Sequence, residues 1–62
     1  MTGNITTKEL TCLEDQLDSE LTLVKKYQAY AELCTDATLK GKMSAMADVH
    51  QKHFDTLMGY LG

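Results

Sequence analysis

The fold is decided by residues 10–34, which read LTCLEDQLDSELTLVKKYQAYAELC. One stripe of this stretch recurs at alternating intervals of three and four residues, which is the a/d pattern of a helix packed against another helix. The stripe consists of Leu10, Leu13, Leu17, Glu20, Val24, Tyr27, Ala31 and Cys34. The pattern predicts a long helix over about 7–34, with one carboxylate in its buried stripe.

The start of this helix carries its own signals. Thr6 and Glu9 have the spacing of a capping box, in which each side chain accepts a hydrogen bond from the backbone N–H of the other. Ile5 and Leu10 stand at the positions of a hydrophobic staple on either side of the cap. We therefore expect a short lead-in over residues 1–6 and a helix that begins directly after it.

A second helix is predicted over about 37–60. Residues 35–38 read TDAT, and side chains of this kind favour turns and caps, with Asp36 as the N-cap. The predicted stripe then contains Leu39, Met43, Met46, His50, His53, Leu57 and Tyr60. Because the connection is short, the two helices are expected to be antiparallel neighbours within a single domain spanning 1–62.

The register of this hairpin follows from its turn. If Cys34 lies opposite Leu39, then Glu20 lies opposite His53. Each helix also has apolar flanking positions that a two-helix hairpin leaves uncovered. These flanks predict a homodimer in which two hairpins form a four-helix bundle, so the fold class is all-α.

Size and cysteine content support a partner chain. A chain of 62 residues and 6.9 kDa rarely stabilises itself through its core alone, and it usually needs disulfides, a metal or oligomerisation. Cys12 and Cys34 are 22 residues apart, about 33 Å along one helix, whereas a disulfide needs Cα atoms within about 7 Å. The two thiols are therefore either reduced or linked to other chains.

Charge and hydropathy argue against several function classes. The net charge is −3, and all six basic residues are Lys. The absence of Arg disfavours binding to nucleic acid, where Arg dominates phosphate and base contacts. No apolar run reaches the roughly 20 residues of a membrane span, and the N-terminus has no signal-peptide pattern. We expect cytoplasmic synthesis and no membrane association.

Three polar residues of the predicted stripes lie at one level. Glu20 comes from the first helix, and His50 and His53 leave the same face of the second helix. One carboxylate and two imidazoles are ligands that suit zinc or non-haem iron, so these residues form a candidate metal site. The alternative is a polar core layer, in which Glu20 pairs with protonated His53 and His50 bonds to its symmetry mate or to water.

Ferritin-like bundles provide the comparison for such a site. There, one helix gives a Glu and the next gives Glu-x-x-His, twice over. Here His53 fills the His position, but His50 stands where the Glu is expected. A dimer would offer two carboxylates and four imidazoles, which favours one mononuclear site per hairpin over a dinuclear centre. No catalytic residue is indicated, and a non-haem iron redox role is the only enzymatic interpretation considered.

The sequence also resembles the coat-F domain of spore coat proteins of spore-forming Gram-positive bacteria. The resemblance spans residues 8–61 and is carried by LEDQL at 13–17, VKKY at 24–27, CTD at 34–36, LK at 39–40 and HQKHF at 50–54. Ala37 departs from the family, in which Pro often follows the Asp of the turn. The resemblance implies a ferritin-like helical fold, a structural role and a place in the spore coat, with other coat proteins as partners and no enzyme activity. The competing function is a ferritin-like protein that binds zinc or iron.

Overall fold

The computed structural model describes residues 4–61 and consists of two helices and one short 3-10 turn. Helix α1 spans Thr7–Leu33, helix α2 spans Ala37–Met58, and the 3-10 turn covers Gly59–Leu61. The helices pack against each other as a hairpin, which confirms the predicted architecture within one to two residues at each boundary. Residues 1–3 of the predicted lead-in lie outside the described residues. In the described part, neither helix contains an apolar stretch long enough to cross a membrane.

Both helices begin at side-chain caps. The Thr6 hydroxyl accepts a hydrogen bond from the backbone N–H of Glu9 at 3.1 Å, and the Glu9 carboxylate accepts one from the backbone N–H of Thr6 at 2.9 Å. The predicted capping box is therefore confirmed. This second hydrogen bond also lowers the pKa of Glu9. At the turn, the Asp36 carboxylate accepts the backbone N–H of Leu39 at 2.7 Å, which makes Asp36 the N-cap of α2.

The inner side of α1 follows the predicted stripe. Its buried residues are Leu17, Glu20, Val24 and Ala31. The remaining stripe positions are half-buried, since one partner helix cannot cover a whole a/d face. The helix packs with the face that the three-four spacing predicts, and the charged position of the stripe is buried with it.

The inner side of α2 keeps one row of the predicted stripe and replaces the other. The row that it keeps is half-buried, as predicted, and consists of Met43, His50 and Leu57. Ala47 is buried and Phe54 is half-buried, whereas Met46 and His53 are exposed. The small side chain of Ala47 allows α1 to approach closely, and burial of the Phe54 ring removes more apolar surface from water than burial of an imidazole does. The helix is therefore rotated by one row relative to the prediction.

This rotation leaves a row of α2 outside the hairpin. Its four members are seven residues apart, and we call them the outer row: Leu39, Met46, His53 and Tyr60. The three apolar members have exposed fractions of 46%, 38% and 53%, and the His53 side chain is 54% exposed. The outer row has the period of a helix-packing seam but has no partner within the hairpin.

The hairpin is one helix thick. Its Cα atoms extend 46 Å along the helices, 16 Å across them and 10 Å through them. Folded domains are usually built from at least two packed layers, which together enclose a core. Cys12 is exposed, Cys34 lies at the C-cap of α1, and both thiols are free, so no disulfide reinforces this single layer.

The cap at Asp36 provides a test of the turn. We expect Asp36→Ala to lower the free energy of unfolding by about 1 kcal/mol, because the N–H of Leu39 loses its acceptor. The matched control is Asp48→Ala, an exposed position inside α2, which should leave stability unchanged or slightly raise it. Urea unfolding at one fixed protein concentration measures both variants. Equal losses for the two variants would contradict the role of the cap.

Candidate metal centre

The structure brings all three predicted site residues together. Glu20 is buried on α1, while His50 and His53 lie on successive turns of α2 and face it. One candidate ligand atom from each residue lies within 4.8 Å of the other two. The i, i+3 spacing of the histidines places both rings on one side of α2, and the antiparallel packing supplies the carboxylate.

The carboxylate of Glu20 is held by donors from both helices. Nδ1 of His50 donates to Oε1 at 2.7 Å, since a carboxylate only accepts hydrogen bonds. Nε2 of Gln16 donates to Oε2 at 3.2 Å, and Nδ1 of His53 lies 3.4 Å from the same oxygen. The predicted pairing of Glu20 with His53 is present as this longer contact, whereas the alternative in which His50 bonds to its symmetry mate or to water is wrong, because His50 is the closest partner of Glu20. The rotation of α2 turns His50 inward and leaves His53 at the edge.

Electrostatics favour the ionised form of Glu20. The hydrogen bond from His50 holds the pKa of the Glu20 carboxyl below its usual range, in spite of burial, which acts in the opposite direction. The hydrogen bond from Gln16 and the charges of the two histidines add to this lowering. At neutral pH the site therefore presents an anionic oxygen donor beside two imidazoles.

An aromatic band crosses the two helices next to Glu20. It consists of Tyr30, Tyr27, His50 and His53. Tyr27 is stacked on His50 with ring centroids 5.6 Å apart and planes 4° apart, and each outer ring makes an edge contact with its neighbour. Tyr27 belongs to the predicted stripe of α1, whereas Tyr30 lies outside it. The contact between Tyr27 and His50 depends on the rotation of α2, which the stripe did not reveal.

The donor atoms of the three residues are close enough together for one ion to reach all of them once the side chains adjust. Zinc bonds of 2.0–2.2 Å place two ligands of a tetrahedral site about 3.4 Å apart. Nδ1 of His53 lies 3.4 Å from Oε2 of Glu20, whereas Nδ1 of His50 lies 2.7 Å from Oε1, the other oxygen of the same carboxylate. An ion bound by all three residues would displace the proton of this hydrogen bond, and the donor groups would move to bonding distance around it.

The donor set also limits the chemistry. Two imidazoles and one carboxylate suit zinc or iron(II), and three protein ligands leave one tetrahedral position open. His53 is the most exposed of the three candidate ligands, so solvent reaches the cluster from the side of this ring. Each hairpin has one buried carboxylate at this level, which suits one ion per chain.

Comparisons with known proteins give one relative. The chain is 32% identical over 57 residues to the uncharacterized protein YuzM of Bacillus subtilis (strain 168). The match covers 92% of this chain and 70% of YuzM. The chain belongs to the YuzM family. Neither a protein-family model nor a solved structure matches it, so the resemblance to coat-F domains stays a prediction.

The lowered pKa of Glu20 predicts how stability changes in acid. A carboxyl whose pKa is lower in the folded state stabilises the fold above its ordinary pKa, and this stabilisation disappears as pH falls through the lower value. We therefore expect Glu20→Gln to lose less stability than the wild type between about pH 5.5 and pH 3.5. Urea unfolding at both pH values, without metal, measures the difference.

The control for this experiment is Glu14→Gln, which changes an exposed carboxyl on the same helix. Because Glu20 is intact in this variant, Glu14→Gln should lose as much stability in acid as the wild type does. If Glu20→Gln and the wild type lose the same stability in acid, the hydrogen bond from His50 does not stabilise the folded state.

Proposed function

We propose that this chain is a structural assembly module that works as a homodimer, with two hairpins packed face to face in a four-helix bundle. The observation that carries the proposal is the outer row of α2, a seven-residue apolar repeat left outside a hairpin only one helix thick. A second hairpin supplies the missing layer. The proposed role is structural, without a catalytic reaction.

The limited core of one hairpin supports this proposal. Among residues 4–61, only four apolar residues are buried: Leu17, Val24, Ala31 and Ala47. Two of these are alanines, whose burial removes little apolar surface from water. Small domains with such a core are usually stabilised by a further element, and a second copy provides one without a disulfide.

The dimensions of the open side also suit a dimer. A face of 46 by 16 Å has a footprint of about 700 Å², close to the roughly 800 Å² that each partner buries in a standard interface. Tyr30 on α1 and the outer row on α2 contribute apolar side chains to this face.

The setting we propose for the module is the spore coat, with other coat proteins as further partners. This part of the proposal is supported by the resemblance of residues 8–61 to coat-F domains. Small helical bundles with exposed apolar seams are suitable building blocks for such layers, because each seam can be covered by a copy or by another coat protein.

The dimer is tested by a substitution in the outer row. We expect Met46→Glu to raise the dimer dissociation constant by about a hundredfold or more, because each dimer loses two buried Met side chains and gains two buried charges. The control is Met58→Glu, since Met58 is similarly exposed but lies 12 residues further on and about 120° around the helix. Sedimentation equilibrium gives the masses.

The wild type should sediment at twice its chain mass of 6.9 kDa, and Met58→Glu should do the same. Circular dichroism at high protein concentration shows whether each variant remains helical. A wild type that stays monomeric up to millimolar concentration would overturn the proposed dimer. A Met46→Glu variant that dimerises as tightly as the wild type would exclude the outer row as its interface.

A second function is supported by a separate observation, the convergence of Glu20, His50 and His53. We propose that this cluster binds one zinc or iron(II) ion per chain. The donor atoms lie within 4.8 Å of one another, and the buried carboxylate keeps its charge at neutral pH. Dimer and metal site are compatible, because the site lies inside the same bundle.

Metal binding is tested with purified protein that has not been exposed to chelators or metal-affinity resin. We expect native mass spectrometry after addition of zinc to show one ion per chain, and His53→Ala to weaken binding by at least about tenfold. The control is Lys52→Ala, an exposed neighbour whose loss should leave the affinity unchanged. Failure of zinc and iron(II) to bind the wild type would leave the cluster as a polar layer of the core.

A further inference from the structure

The outer row of α2 is symmetric about its own midpoint. Its members Leu39, Met46, His53 and Tyr60 cover about 31 Å of helix, and the midpoint falls between residues 49 and 50. A two-fold axis through this midpoint pairs Leu39 with Tyr60 of the second copy and Met46 with His53 of the second copy. Val49 is 41% exposed and lies next to the axis.

The row on α1 that faces the same side is a poorer partner. It consists of Glu9, Gln16, Leu23 and Tyr30, and two of its four members are polar. Gln16 also donates one amide N–H to Glu20, which holds its side chain against its own helix. If α2 packs against α2 of the second copy, each outer row buries its three apolar members against the three apolar members of the other row. If α2 packs instead against α1 of the second copy, the facing row has only two apolar members.

The metal cluster lies at the level of this axis. His50 is next to the midpoint of the row and bonds to Glu20, so both clusters of a dimer lie close to its centre. His53 belongs to the outer row and to the cluster at once. One side chain therefore lies in the proposed interface and also provides a candidate ligand.

We propose that the second copy packs antiparallel against the outer row, α2 against α2, and that His53 couples this packing to metal binding. The proposal rests on the proposed dimer and metal site, and it adds the identity of the interface and the link between the two. A four-helix bundle of this kind also packs α1 against α1 and closes over both clusters.

Metal binding and packing of the second copy are coupled because both of them involve the His53 ring. In the free hairpin its ring is 54% exposed, and its contacts are a long 3.4 Å approach to Glu20 and an edge contact with the His50 ring. A bound ion fixes the ring against the cluster, so the second copy meets an ordered surface and loses less conformational entropy on docking. Coupling of this kind is reciprocal, and the dimer therefore binds the ion more tightly than the monomer does.

Cross-linking tests the interface. In a Cys12→Ser, Cys34→Ser background, Val49→Cys places one thiol next to the two-fold axis in each copy. A disulfide needs Cα atoms within about 7 Å, so mild oxidation should join the two chains rapidly. The control is Thr56→Cys in the same background, which is exposed on α2 but lies seven residues from Val49 and about 10 Å along the helix.

Two copies of Thr56 are separated by about twice this axial distance in the proposed dimer, so Thr56→Cys should remain uncrosslinked under the same conditions. The reverse result, with Thr56→Cys linked and Val49→Cys free, would overturn the antiparallel α2 interface. If both variants dimerise by sedimentation and neither cross-links, α2 packs elsewhere, and the interface proposal fails although the dimer stands.

The coupling is tested by sedimentation equilibrium with and without zinc. We expect zinc to lower the dimer dissociation constant of the wild type by at least about tenfold. Glu20→Gln removes a charged ligand that lies outside the outer row, but its amide oxygen still accepts the hydrogen bond from His50. The rotation of α2 and the zinc-free dimer should therefore be retained, while the dissociation constant should no longer respond to zinc. Met46→Glu should remain monomeric and bind zinc more weakly than the wild type.

The outcomes separate the proposals. A wild-type dimer that binds zinc with an unchanged dissociation constant overturns the coupling and leaves both proposed functions intact. A zinc-binding monomer at all concentrations overturns the dimer, and a dimer that takes up no zinc overturns the metal site. Either of these results also overturns the coupling.

Discussion

Glu20 lies in the buried stripe of α1. Its carboxylate needs hydrogen-bond donors, and these come from α2 and from α1 itself. His50 provides the shortest contact, at 2.7 Å, and Gln16 completes the set at 3.2 Å. Because an unpaired buried carboxylate is costly, this pairing favours one register and one rotation of α2 over its neighbours. The remaining features of the hairpin follow from that rotation.

With His50 turned inward, α2 presents Ala47 and Phe54 to α1 and leaves the outer row in solvent. The same rotation stacks Tyr27 on His50 and places His53 at the edge of the cluster. This polar contact and the packing of Ala47 and Phe54 against α1 together account for the position of the candidate ligands and for the uncovered apolar seam. The proposed dimer and the proposed metal site meet at this edge, since His53 takes part in both.

The match that shows membership of the YuzM family covers 92% of the chain, so it extends over both helices. The proposed role as an assembly module rests on physical features: a single layer, a small core and a repeating apolar row. The proposed metal site rests on donor chemistry and separation. Each of the two arguments stands without the other, and the coupling requires both.

The sequence by itself determined the two helices, their caps at Thr6 and Asp36, and the level at which Glu20 meets the histidines. These features depend on local hydrogen bonds and on the periodic spacing of apolar residues, and both are set by residues that are close together in the sequence. Only the tertiary structure decided which histidine bonds to Glu20 and which row of α2 faces inward. Two adjacent rows, Met46 with His53 and Ala47 with Phe54, both have helix-packing spacing, and the choice between them depends on close packing against α1 and on the donor that the buried carboxylate requires.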